Sequence, residues 1–302
     1  MKTITVEQVL SDEEVNARIG TFLEENDVPL VISSMDEPVE VLKPDGSVLL
    51  RYFPNVISAE NLGAAYPVLS KHCTETNNRK VAGGMIPLQG KLTLKRIRKD
   101  GSESKTNIGR KVKSILMGYF DRYPRTPFCR QTAFTEHHAE EFERIWPMLG
   151  EIDKAFEQGH PERYAVQKAM IEETSKDFFI PGTSFTTITV NKDFRTAIHF
   201  DKGDLREGFG VMAALRKGYW TGSYTGFPKY GCAVDMQNGG VCLADVHEAH
   251  GNTDRHTVPA KGHERVSLVC YYRERMINCG TAEEEVLRAQ NRKLGDKLND
   301  PR

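Results

Sequence analysis

The sequence predicts an α+β protein with a β-sandwich or jelly-roll core, flanking helices and an N-terminal mixed α/β extension. Three observations point there. Six short β-rich runs, at 185–191, 197–200, 209–215, 232–234, 241–244 and 266–272, follow one another with Gly, Asp and Asn turns between them. Just before them, apolar residues recur at helical spacing in Phe142, Ile145, Trp146 and Leu149. The first 117 residues instead alternate short helices and strands, so the expected division is 1–117 for the extension and 118–302 for the core domain.

In chain order, Ser11 to Glu14 has the form of a capping box, and a short amphipathic helix is expected from there through Phe22 and Leu23. Strands are expected at 30–33, 39–42 and 48–53, the last two joined across Pro44-Asp45-Gly46. A helix at 59–69 follows, then a Gly-punctuated loop at 79–90. Residues 91–98, KLTLKRIR, alternate charged and apolar side chains as a strand with one basic face would. A helix begins near Thr135, a second spans 162–174 behind Pro161, and a polar helix at 283–297 is capped by Thr281 to Glu284.

Hydrophobic residues make up 39% of the 302-residue chain and charged residues 27%, an ordinary globular composition. No run approaches the roughly 18 apolar residues of a spanning helix, and the N-terminus lacks the apolar core of a signal peptide. An intracellular, soluble protein is expected. The six cysteines form no CxxC pair, so reduced thiols are expected, with neither a zinc knuckle nor a disulfide framework. The formal net charge is only −1, yet residues 91–113 carry nine Lys and Arg against two Asp and Glu. In that stretch Lys91, Lys95, Arg96, Arg98, Lys111 and Lys113 are candidate phosphate contacts for a nucleic acid, the plainer reading being a solvated surface strand.

The chemistry centres on His199 and Asp201, two residues apart on an expected strand and so able to face one point. On its own a His-x-Asp tripeptide does not define a site. Residues 245–253, DVHEAHGNT, offer two further histidines, His247 and His250. A two-His, one-carboxylate set suits Fe(II) and leaves positions open for a bidentate oxo-acid and dioxygen. Fifteen residues past His250, Arg265 opens the apolar strand VSLVCYY. A guanidinium buried there needs a carboxylate, and the distal one of 2-oxoglutarate fits, with Ser267 on the same face as a further donor. His137 and His138, beside Glu140 and Glu141, do not match a zincin spacing and read as exposed first-turn residues.

Taken together, FTTITVN at 185–191, RTAIHFDKGDLREGFG at 195–210, YWTGSYTGFP at 219–228, the 245–253 segment and ERVSLVCYYRE at 264–274 resemble the 2-oxoglutarate/Fe(II)-dependent dioxygenases. Within them the likeness is to the TET/JBP nucleobase dioxygenases, including phage-encoded members, which for such a member would mean the cytoplasm of a bacterial host. It covers roughly residues 118–275. The resemblance implies a double-stranded β-helix, iron ligands His199, Asp201 and His250 (preferred over His247), and a 2-oxoglutarate clamp of Arg265 with Ser267. It also implies DNA as substrate, with a 5-methylpyrimidine flipped into the pocket and hydroxylated by dioxygen. 5-Methylcytosine stands first, with thymine open. Asp204, Tyr271 and Arg273 fall where the family meets the base, Asp204 and Arg273 being departures from the Asn and His of animal TET enzymes. Asp204 could instead pair with Arg206 or Arg195. Asn191 flanks the metal pair on its other side, and Phe185, Tyr219, Trp220, Phe227 or Tyr271 could stack on the base. The alternative is a 2-oxoglutarate/Fe(II) hydroxylase of a free small molecule or amino acid.

Overall fold

The computed structural model of the chain describes residues 1–88, 90–257 and 262–291. Its largest sheet runs in the order Lys2–Thr5, Val39–Leu42, Val48–Phe53, Val241–Ala244, Gly210–Lys217, Glu264–Tyr271, Thr187–Lys192, Val112–Phe120 and Arg130–Gln131, with Glu75–Thr76 pairing beside Val112–Phe120. A second sheet is formed by Gly251–Asn252, Thr225–Phe227, Cys232–Val234 and Leu30–Ile32. This is the jelly-roll core with flanking helices that the sequence predicts.

Period-two alternation sorts the large sheet into two faces. Val266, Leu268 and Cys270 of strand Glu264–Tyr271 are buried in one core cluster with Phe142, Leu149, Ile152 and Phe156 of the helical layer. Burying each such side chain is worth roughly 1.5–3 kcal/mol. Arg265, Ser267, Val269 and Tyr271 point the other way, into a cavity of about 820 Å³. Thr225 and Asn252 of the second sheet line the same cavity from across it.

Several expectations are corrected. The 117/118 division falls inside strand Val112–Phe120, and Leu30–Ile32 and Val48–Phe53 hydrogen-bond to Cys232–Val234 and Val241–Ala244. The extension therefore supplies strands to both sheets. Residues 91–98 are not one strand: Lys91–Thr93 pairs with Ile86–Leu88, and Lys95–Ile97 pairs with Glu103–Asn107. The Thr93 hydroxyl accepts from the Lys95 N–H at 2.9 Å, turning the chain at Leu94. The loop at 79–90 thus contains a 3-10 turn, Lys80–Gly83, and a strand. The helix beginning near Thr135 is three pieces, Ala133–His137, Ala139–Glu143 and Trp146–Gly159, with Pro147 in the first turn of the third. The first helix ends at Ala17, short of Phe22. The last spans Ala282–Asn291, and the rest of 283–297 lies outside the described residues.

The cysteine expectation is also corrected in part. Cys129 and Cys279, 150 residues apart in sequence, form a disulfide. Cys73, Cys232, Cys242 and Cys270 are free and buried.

Candidate active site

The segment bearing His199 is not a strand; it is held by one bridge on one side and by main-chain hydrogen bonds on the other. Toward the second sheet, His199 and His250 exchange main-chain hydrogen bonds of 2.9 and 3.0 Å, and the Asn252 N–H donates to the Thr196 carbonyl at 2.9 Å. On the other side the extension closes in. The Ile198 N–H donates to Thr21, Gly20 donates back to Ile198, each at 2.8 Å, and Ala197 donates to the Ala82 carbonyl at 2.9 Å. Residues 20–21 and 82, far from the motif in sequence, thus help fix where His199 stands.

His199 Nδ1 lies 2.8 Å from the Ala197 carbonyl, and His250 Nδ1 lies 2.9 Å from the Glu248 carbonyl. Carbonyls only accept, so each Nδ1 carries the proton and each Nε2 turns its lone pair inward. Asp201 Oδ1 is 3.5 Å from His199 Nε2, and Oδ2 is 3.7 Å from His250 Nε2. The three side chains offer ligand atoms that all lie within 4.8 Å of one another. Burial, reinforced by the His199 charge, pushes His250 down to about 4, which leaves its imidazole neutral at pH 7. Burial acts to raise Asp201, but the neighbouring His199, which when protonated on Nε2 faces Asp201 Oδ1, outweighs it and brings the carboxyl to about 2. The group is thus arranged to hold positive charge between nitrogen and carboxylate. His247 lies apart, its Nδ1 3.5 Å from Asp245.

Arg265 is 5% exposed, and its Nη1 donates to Ser267 Oγ at 3.0 Å. No carboxylate of the described residues lies within ion-pair distance of it. Burial, with Arg216 and Arg255 nearby, lowers it to about 10, so it remains a cation at neutral pH. Among the described residues the guanidinium's side-chain hydrogen bond goes to Ser267 and no carboxylate pairs with it, which fits the carboxylate of a bound oxo-acid. The donor set and this unpaired cation together fit iron and 2-oxoglutarate.

Asn191, Asp204, Tyr271 and Arg273 line the same cavity. The one hydroxyl proton of Ser114 is shared between Asn191 Oδ1 at 2.6 Å and the Val190 carbonyl at 2.8 Å, so the amide oxygen of Asn191 faces Ser114 and its nitrogen has no partner among the described residues. Asp204 makes no ion pair with Arg195 or Arg206; its main chain bridges Arg273, and burial with the Asp201 charge pushes its carboxyl well above the usual range. Arg273 donates from Nε and Nη2 to buried Asp121, at 2.9 and 2.8 Å, so its charge is already matched. Of the five aromatics considered for stacking, Tyr271 lines the cavity. Phe185 and Phe227 are fully buried in the two cores, Trp220 lies under Arg216 at 3.6 Å, and Tyr219 is 77% exposed.

Arg79 is a cavity residue that sequence reasoning missed. Its Nε donates to Ser114 Oγ at 2.7 Å, and no described carboxylate pairs with it. Its only sequence signal was a charged residue opening a Gly-punctuated stretch. Of the candidate phosphate contacts, Lys111 and Lys113 border a cleft with Arg110, Lys192 and Arg195, and Phe194 lines both this cleft and the cavity. Lys91, Arg96 and Arg98 are exposed, and Lys95 half-buried, on the two small hairpins.

The sequence matches the Tet_JBP family, the oxygenase domain of the 2OGFeDO superfamily, over residues 115–274, more than half of the chain. The chain belongs to this family. Thymine dioxygenase JBP1 of Trypanosoma brucei brucei is 37% identical over 164 residues, 53% of this chain and 19% of that protein. The bifunctional helicase and thymine dioxygenase JBP2 of Leishmania braziliensis is 32% identical over 234 residues, 76% of this chain and 19% of that protein. The chain therefore spans about a fifth of the length of these relatives. Among solved structures, NgTET1 in complex with 5mC DNA matches with a TM-score of 0.56 at 13% identity, covering 93% of this chain and 99% of that one. That likeness is one of fold. The family's cofactors, Fe(II) and 2-oxoglutarate, are those that the residues of the cavity fit.

Proposed function

We propose that this protein is an Fe(II)- and 2-oxoglutarate-dependent dioxygenase that hydroxylates the 5-methyl group of a pyrimidine in DNA. The observation that carries the reading is the conjunction, in one cavity, of the His199, Asp201 and His250 donors with the Arg265 cation, which pairs with no carboxylate of the described residues. When bound, iron with 2-oxoglutarate and dioxygen supplies the oxidising power to insert one oxygen atom into a C–H bond. The chain's own work is geometry. His199 and His250 keep their Nε2 lone pairs inward through their Nδ1 bonds, Arg265 and Ser267 hold the distal carboxylate, and Val269 with Met212 keeps the wall apolar.

The base enters by flipping out of the duplex, because a 5-methyl group lies in the major groove out of reach of a buried centre. Tyr271 offers a stacking face, Asn191 an amide donor, and Asp204 a carboxyl that accepts from thymine N3–H or cytosine N4 and, when protonated, donates to a keto oxygen. Arg273 acts by fixing Asp121 beside them. On the sequence alone 5-methylcytosine stands first. The names of relatives at 32–37% identity outweigh a fold likeness at 13%, and they move thymine ahead. The cleft beside the cavity sets Arg110, Lys111, Lys113, Lys192 and Arg195 against Glu75 and Asp193, a net positive lining even with Lys111 paired to Glu75, and this favours a polyanion over a free small molecule.

The test is incubation with Fe(II), 2-oxoglutarate and either unmethylated or 5-methylcytosine-containing DNA, followed by digestion to nucleosides and mass analysis. Hydroxymethyluracil from the first DNA is expected. Hydroxymethylcytosine alone would restore 5-methylcytosine as the substrate, and no product from either DNA defeats the reading.

A further inference from the structure

A second set of metal-competent side chains lies on the helical layer, away from the cavity. His72 ends helix Ala59–His72, His138 stands between helices Ala133–His137 and Ala139–Glu143, and Glu141 lies in the latter. His72 Nε2 is 2.7 Å and His138 Nδ1 is 3.2 Å from the same carboxylate oxygen, Glu141 Oε2, and the two imidazole centroids are 4.3 Å apart. The ligand atoms of these three residues all lie within 4.8 Å of one another, as do those of the cavity trio.

Their surroundings orient them. Lys71 Nζ holds the other oxygen, Glu141 Oε1, at 2.8 Å, which leaves Oε2 to the imidazoles. Phe134 buttresses both rings, edge-on to His72 at 5.0 Å and stacked on His138 at 5.4 Å. A carboxylate fixed by an outer partner and imidazoles wedged by an aromatic resemble the supports that first ligands need. Zinc bonds of about 2.0–2.1 Å place tetrahedral ligand atoms roughly 3.3 Å apart, against 3.2 Å for His138 to Glu141 and 2.7 Å for His72 to Glu141 here. Two nitrogens and one oxygen suit zinc and its transition-metal neighbours and are too few oxygens for calcium or magnesium.

We propose that His72, His138 and Glu141 form a second metal site, for a divalent transition ion of the zinc class, tying the end of one helix to a helix junction 66 residues later. His138 is 41% exposed, so a fourth position is open to water. The tie sits just upstream of Asn78 and Arg79, which run into the cavity wall, so occupancy would steady that wall from outside.

The probe is Co(II), followed by its visible absorption and displaced by Zn(II). Wild-type protein should take two equivalents, H199A/D201A one, and H138A or E141Q one. H199A/D201A combined with H138A should take none. Zn(II) should raise the melting temperature of H199A/D201A, in a concentration-dependent way, and leave H199A/D201A/H138A unmoved. Both substituted positions are at least partly exposed, and circular dichroism confirms that each variant folds. One equivalent in the wild type, or a second equivalent that survives both H138A and E141Q, would overturn the proposal.

Discussion

His199 and His250 donate their main-chain N–H groups to each other's carbonyls, at 2.9 and 3.0 Å, fifty-one residues apart in sequence. The loop that carries His199 is thereby locked to the start of strand Gly251–Asn252, at the point where the two imidazoles must converge. Gly251 makes the approach possible. A Cβ there would lie 3.1 Å from both Ile198 N and Thr196 O, and main chain cannot swing aside as a side chain could. Gly251→Ala is therefore expected to lower iron affinity by about tenfold, the scale of a disturbed ligand support. Titration of Fe(II) under anaerobic conditions checks this.

Arg265 and Ser267 divide one task unequally. Removing the guanidinium with Arg265→Ala leaves the carboxylate of 2-oxoglutarate without its charge partner, and the KM for 2-oxoglutarate should rise on the order of a hundredfold, as for a charge-assisted bond of about 3 kcal/mol. Ser267→Ala removes one hydrogen bond to that carboxylate from an uncharged donor, worth about 1.5 kcal/mol, and should raise it roughly tenfold. Steady-state kinetics with 2-oxoglutarate varied at saturating DNA separates the two.

Lys111 and Lys113 border the cleft beside the cavity, and removing a cation that neutralises a phosphate should flatten the salt dependence of DNA binding. Replacing both with Ala is expected to reduce the slope of log affinity against log salt by about 1.8 for duplex DNA. Fluorescence anisotropy across a salt series provides the measurement. An unchanged slope would remove these lysines from the interface.

Asp245 clamps the loop that carries His250. Burial acts to raise its carboxyl, but hydrogen bonds from His247 and Lys43 hold it at about 2, below the ordinary 3.8. A carboxylate with a depressed folded value stabilises the fold above its unfolded pKa and loses that contribution as pH falls toward the folded value. The window here runs from about pH 4 down to about pH 2. Asp245→Asn should cost about 2 kcal/mol at pH 7 and give a flatter stability curve across that window, as read by urea denaturation at a series of pH values.

Part of the cavity was legible from local period: Arg265 to Tyr271 alternate between the apolar core and the cavity, so spacing sorted their faces. His199 and Asp201 come together although their segment is not the strand that their two-residue spacing predicts. What was not legible depends on tertiary approach. Nothing in the neighbourhood of Arg79 says that Ser114 will meet it, and Cys129 pairs with a partner 150 residues away that no spacing rule selects. His138 and Glu141 read as exposed helix residues until His72 arrives from another helix. The break at Leu94 hid behind strict alternation, because a Thr93 side chain, not the pattern, turns the chain there. The 1–117 division followed a change of sequence character, whereas the sheet edges that those strands complete belong to the other half.

The most direct test of the account is a nucleoside mass measurement on DNA treated with the wild-type protein and with His250→Ala, in parallel reactions containing Fe(II) and 2-oxoglutarate. The account expects a hydroxymethylpyrimidine from the wild type, none from the variant, and succinate formed in step with the product. Equal product from both proteins, or none from the wild type, would contradict it.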